Sequence, residues 1–192
     1  QPWRLSPLAR RWFDLLLAGG LFVLGVGGHL VSGQPDAALL TALQVAPLVW
    51  RRSHPSAVFV AVAAASAAQA VVMSLPIFGQ LAFPIATYSV ARWSSRWHGV
   101  GALLIGLCGA AVAAVSWLGG LGGEPTIQTF TPYTVTISAI VTTAWALGTA
   151  AQTREHYVAG LVERAEQAER MAEREIELAA QDERARIARE MH

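Results

Sequence analysis

The sequence predicts an all-α membrane protein: six transmembrane helices, the last continuing into a cytoplasmic parallel coiled coil. Three observations predict it. Residues 12 to 152 are almost wholly apolar, small or aromatic, whereas residues 153 to 192 carry seven Arg and ten Asp or Glu. The arginines of the apolar part fall in every second connection between apolar runs. From Tyr133 to His192 there is no proline, so one helix can cross from the apolar part into the charged part.

A spanning helix needs about 20 apolar residues, within a range of roughly 17 to 25. Six runs qualify or nearly qualify: Trp12 to Val31, Ala37 to Trp50, Ala57 to Leu75, Phe78 to Trp93, Val100 to Leu118 and Tyr133 to Gln152. The second and fourth, at 14 and 16 residues, are short. Fourteen helical residues cover about 21 Å against a hydrocarbon core of about 30 Å, a mismatch that makes the domain sensitive to bilayer thickness. Turn-forming segments separate the runs: Ser32 to Asp36, Arg51 to Pro55, Ser94 to Arg96, and a long Gly-, Thr- and Pro-rich loop from Gly119 to Pro132. Because lipid offers no partner to bare backbone groups, such runs must be helical.

Arg4, Arg10 and Arg11 precede the first run, Arg51 and Arg52 separate the second from the third, Arg92 and Arg96 mark the junction of the fourth and fifth, and Arg154 follows the sixth. The other connections hold no Arg but include Asp36 and Glu124. Cytoplasmic loops are enriched in Arg and Lys, so both termini are expected in the cytoplasm, in a multi-pass chain. Trp12, Trp50, Trp93 and Trp97 then fall at the inner interface and Trp117 at the outer. The outer loops, at about six, three and fourteen residues, are too short to fold as domains.

Within the apolar part, Ala102, Gly106, Ala110 and Ala114 form a ladder of small residues at spacing four, the pattern that lets helices approach closely in lipid. Gln44 is the deepest polar residue and is expected to bond between helices or to line a ligand pocket. Asp14 and His29, near run ends, read as interfacial. Cys108 reads as a small packed core residue, since no second cysteine exists for a disulfide or metal site. No metal ligand set, Walker loop or nucleophile triad appears, and no basic patch supports a nucleic-acid partner.

Three parts follow: 1–152, a six-helix transmembrane domain; 153–181, a coiled-coil helix; and 182–192, a short terminal segment. Leu161, Ala165, Ala168 and Ala172 alternate spacings of four and three, the seam of a parallel homodimer. Continued, that seam meets Glu175, Ala179 and Asp182, whereas the apolar residues lie at Ile176, Ala180, Ile187 and Met191, so the pattern gains one residue.

The terminal run Glu183-Arg184-Ala185-Arg186-Ile187-Ala188-Arg189-Glu190-Met191-His192 resembles the opening of the dimerisation and phosphoacceptor helix of sensor histidine kinases of the nitrate-sensor class, E-R-x-R-I-A-R-E-L-H-D, with Met191 in place of Leu. The six runs are also similar to the membrane domain of such kinases from actinobacteria. The resemblance implies a two-component sensor kinase, homodimeric and in contact with membrane lipid. His192 would be phosphorylated and would pass its phosphate to a response regulator of LuxR type. Imidazole suits that role because its proton exchanges near neutral pH. His192 would share a helix face with Ala185, Ala188 and Arg189, the alanines leaving room for a docking domain and Arg189 contacting the phosphate. ATP and Mg2+ are implied for a catalytic domain; the 192 residues hold no nucleotide box, hence no cofactor of their own. The competing reading is a non-enzymatic membrane protein, a transporter accessory or scaffold with a coiled-coil oligomerisation tail. An ATP-binding domain encoded after His192 would decide for the kinase.

Overall fold

The structure is a computed structural model that describes residues 7–122, 124 and 126–191. Six α-helices account for nearly all of them: α1 (Pro7–Val31), α2 (Pro35–Val45), α3 (Pro55–Val72), α4 (Ala82–Trp93), α5 (Arg96–Gly120) and α6 (Ile127–Glu190). No strand occurs among the described residues. The chain is therefore all-α, and it divides into two units, residues 1–152 and 153–192.

Proline sets several boundaries. Pro35 and Pro55 stand at the first helical positions of α2 and α3, where the missing N–H would have had no partner and the fixed φ starts the helix. Both helices thus begin two residues before the expected apolar runs. α6 begins at Ile127, six residues before its expected start, with Pro132 inside its second turn. The Phe130 N–H bonds to the Thr126 carbonyl at 2.8 Å, and the Thr126 N–H bonds to Thr129 Oγ1 at 3.1 Å. Capping of this kind satisfies donors that the helix start leaves bare, so the loop expected up to Pro132 is shorter than its composition indicates.

α1, α3, α5 and α6 are long and apolar enough to cross a membrane. α2 and α4 have 11 and 12 residues, but each is extended by a 3-10 turn, Ala46–Trp50 after α2 and Phe78–Leu81 before α4. A 3-10 turn rises about 2.0 Å per residue against 1.5 Å in an α-helix. Laid end to end, each helix with its turn covers about 26 Å. The shortfall against a hydrocarbon core of about 30 Å is smaller than the residue counts imply.

In residues 1–152 the core is a seam of small and branched side chains from α1 to α5: Ala18, Val45, Leu48, Val58, Phe59, Val62, Ala82, Ala86, Val90 and Ala102. Outward-facing positions remain apolar, among them Leu16, Val23, Leu24, Leu104 and Ile105. A helix apolar on both its packed and its open faces is one that lipid surrounds.

The expected small-residue ladder is the buried face of α5: Gly99, Ala102, Gly106, Ala110, Ala114 and Leu118. A Cβ at Gly106 would stand 2.5 Å from Val141 Cγ1 of α6 and 3.3 Å from Phe83 of α4. Gly148 of α6 is equally tight, its Cβ position lying 2.5 Å from the Tyr88 carbonyl oxygen. Cys108, two positions from both Gly106 and Ala110 and so roughly 200° round the helix from either, is exposed, which corrects its expected place in the core. On a face where every fourth residue is small, the stripe that packs is that of the small residues. Gly106→Val is therefore expected to cost about 1–3 kcal/mol by overpacking. Gly109→Val, where nothing lies within 4 Å, is the control. Thermal unfolding in lipid nanodiscs checks the difference; equal losses would remove the packing argument.

Residues 153–190 form the C-terminal part of α6. From Leu161 to Met191 every residue whose surroundings are described is exposed, including Leu161, Met171, Ile176, Leu178 and Ile187. Surface ion pairs such as Glu166 with Arg170 at 3.6 Å, and Glu183 with Arg186 at 2.8 Å, add a few tenths of a kcal/mol each.

Candidate functional site

Side-chain bonds show which segments share an end of the 1–152 unit. At one end, Asp14 of α1 meets Arg51 and Arg52 of the α2–α3 connection, Ser56 Oγ lies 2.8 Å from Ser94 Oγ, and Gln152 Nε2 donates to the Ser94 carbonyl at 2.9 Å. At the other end, Ser116 Oγ donates to the Ala70 carbonyl at 2.7 Å, and Gly120 abuts Ser74. Among the described side chains of this unit, the arginines gather at the first end: Arg51, Arg52, Arg92 and Arg96 all belong to it.

The cluster there is built around Asp14, which is 6% exposed. Arg51 donates to Asp14 Oδ1 from Nε at 3.0 Å and also from Nη2. Arg52 donates from Nε to Oδ2 and from Nη2 to Oδ1 at 3.2 Å. Both forks thus close on one carboxylate, the geometry in which charge-assisted hydrogen bonds are strongest. The Trp93 ring provides the wall, with the guanidinium carbons of Arg52, Arg92 and Arg51 at 4.8, 5.3 and 5.9 Å from its centroid. All three lie within cation–π range. Arg92 also donates to the Tyr88 hydroxyl at 2.6 Å.

The expectation of a merely interfacial Asp14 is corrected: it is the buried hub of an ion-pair cluster. Its partners lie 37 and 38 residues away. The available signal was a carboxylate inside the first spanning run and an Arg pair at the same predicted membrane level. His29, by contrast, bonds locally, donating from Nδ1 to Gln34 Oε1 at 3.2 Å on the exposed surface.

Gln44 is fully buried and bonds between helices, its Nε2 donating to Ser66 Oγ of α3 at 3.3 Å. A companion pair lies nearby in the chain: Gln69 Nε2 donates to the Leu75 carbonyl at 2.8 Å, and Gln80 Nε2 donates to Gln69 Oε1. These amides tie the irregular stretch 73–81 to the helices beside it. Gly79 fits against Gln44 and the Thr41 backbone, where any Cβ would collide. Thr87 and Ser89, also fully buried, return their hydroxyls to the carbonyls of Phe83 and Ile85 in α4 itself. An open groove of about 590 Å³ runs between Pro84 and the α6 residues Thr136, Ile140, Thr143 and Leu147.

Of the terminal motif, Ile187 and Arg189 lie on α6 and both are exposed. The helix closes with the Met191 N–H on the Ile187 carbonyl at 3.1 Å. At about 100° per residue, Arg189 faces roughly 200° from Ile187. His192 and the side chains of Ala185 and Ala188 lie outside the described residues, as does Arg4.

Four helices long and apolar enough to cross a membrane define a helical domain of membrane type. The chain belongs to the family described as domain of unknown function DUF7134, whose model matches residues 4–155. No curated protein and no solved structure matches it. The family match ends within three residues of the division between the two units, so the charged half of α6 lies outside it.

Proposed function

We propose that this chain is the membrane-sensing and signal-transmitting part of a two-component sensor histidine kinase. Six helices span the bacterial inner membrane with both termini cytoplasmic, α2 and α4 crossing with the help of their 3-10 turns. Two copies pair through a parallel coiled coil over residues 153–181. His192 accepts the ATP phosphoryl group from a catalytic domain that supplies ATP and Mg2+, and a response regulator of LuxR type takes it onward.

The observation that carries this reading is the ten-residue run Glu183 to His192. Two features support it. α6 is unbroken from Ile127 to Glu190, the form a signalling helix needs. Its charged half exposes apolar side chains, among them Leu161, Ile176 and Ile187, that a second copy would cover. In such a dimer Arg189, opposite Ile187, would face outward, where a phosphate and a docking domain would approach.

The test uses the full-length protein reconstituted in lipid with radiolabelled ATP. Wild type is expected to acquire acid-labile phosphate. His192→Gln should acquire none while still cross-linking as a dimer. Labelling of the variant at the wild-type rate would overturn the assignment, as would an open reading frame that encodes no ATP-binding domain.

A further inference from the structure

Residues 1–152 contain seven Arg against three acids, and the imbalance is spatial as well as numerical. Asp36, in the first turn of α2, and Glu124, between α5 and α6, lie at the end away from Asp14, while the described arginines of this unit lie near the start of α1 or at the α2–α3 and α4–α5 connections. Where Arg51 and Arg52 meet, one carboxylate faces two guanidinium groups, leaving an excess positive charge in a largely dehydrated cluster.

The two arginines are not equivalent. The Arg51 side chain is 7% exposed and its fork is closed on Asp14. That of Arg52 is 35% exposed, and its Nη1 makes no hydrogen bond among the described residues. The segment that presents them is fixed by its own backbone: the Arg51 N–H bonds to the Leu48 carbonyl at 3.2 Å, and the Ser53 and His54 N–H groups both bond to the Trp50 carbonyl. The Arg52 guanidinium carbon lies 4.8 Å from the centroid of the Trp93 ring. A planar, pre-positioned guanidinium with open donors, an aromatic wall and surplus positive charge matches a tetrahedral oxyanion.

We propose that Arg52, backed by Arg51 and Trp93, binds a phosphate group, the chemistry shared by an anionic phospholipid headgroup and free phosphate. Asp14 is its internal competitor: it occupies the same forks, so a phosphate arriving at Arg52 loosens the link between α1 and the α2–α3 connection. The assignment is independent of any role for His192.

The experiment places the full chain in phosphatidylcholine nanodiscs, with or without phosphatidylglycerol, and counts retained lipid by native mass spectrometry alongside thermal unfolding. Wild type should retain phosphatidylglycerol preferentially. Arg52→Gln should lower that retention roughly tenfold, whereas Arg96→Gln, which removes an exposed arginine at the same end, should leave it unchanged. Asp14→Asn keeps the shape and removes the competitor, so phosphatidylglycerol should stabilise this variant more than wild type. Inorganic phosphate added to purely phosphatidylcholine discs separates the two sources. Protection by phosphate that vanishes in Arg52→Gln identifies a soluble ligand; protection by phosphatidylglycerol alone identifies the lipid. Equal loss in Arg52→Gln and Arg96→Gln overturns the site, as does indifference of wild type to both anions.

Discussion

Asp14→Ala is expected to lower the stability of the 1–152 unit by about 3–5 kcal/mol, the cost of stripping one partner from a buried ion pair. The loss comes less from the missing attraction than from what remains. Arg51 keeps its charge and stays in a site only 7% open to solvent, with two of its donors unsatisfied. Arg52, more exposed, can turn toward water and contributes little to the penalty. Removing both partners, as in Asp14→Leu with Arg51→Leu, should recover most of the loss, because an apolar pair of similar volume in a buried site is close to neutral. The control is Asp36→Ala at an exposed position, expected within about 0.5 kcal/mol of wild type. Thermal unfolding in nanodiscs of neutral lipid reads all four proteins. If Asp14→Ala and Asp36→Ala lose equal amounts, or if the double variant is worse than the single, Asp14 is not the hub described.

This cluster also marks where sequence reading stops. The apolar runs, their order and the packed face of α5 were legible because each depends on residues three or four positions apart. Apolar periodicity reports which residues avoid water, however, and in lipid the outer face of a helix avoids water too. Cys108 is the example: its neighbours are as apolar as the true core, and only the small-residue stripe on the opposite face, at Gly106 and Ala110, shows which side packs. The fourth run, Phe78 to Trp93, has the expected bounds, but the rise of the second and fourth runs was not legible, since a 3-10 turn and an α-helical turn share one composition and differ in rise. Asp14 was misplaced because its meaning lies in Arg51 and Arg52, and no local pattern joins positions 37 residues apart. The amides Gln44, Gln69 and Gln80 stand between these cases. Burial without water obliges such groups to find partners, so bonding between helices was foreseeable for Gln44. That Gln69 and Gln80 would bind each other across the 73–81 stretch was not.

The proposed signalling helix carries a prediction of comparable size. The seam Leu161, Ala165, Ala168, Ala172 and the lower seam Ile176, Ala180, Ile187, Met191 are offset by one residue. α6 runs through the junction without interruption, so the offset lies in side-chain pattern alone and not in the backbone. A coiled coil built on this sequence can hold either seam in register, with local rewinding between them. Neither wins decisively, since the upper seam is mostly alanine and buries little apolar area. A gap of a few kcal/mol is within reach of a ligand's differential affinity for the two states. In the full-length protein, deleting one residue between Ala172 and Ile176 turns everything downstream by about 100° and should lock the kinase in one state whatever the stimulus. Inserting seven residues adds about two full turns and should return regulation nearly to wild type. Insertion of three or four residues should each fix a constant activity, in at least one case the opposite of that fixed by the deletion. Autophosphorylation rates across this length series decide the matter. A periodic dependence with a repeat near seven residues is the expected result, and equal regulation at every length would show that rotation of this segment does not carry the signal to His192.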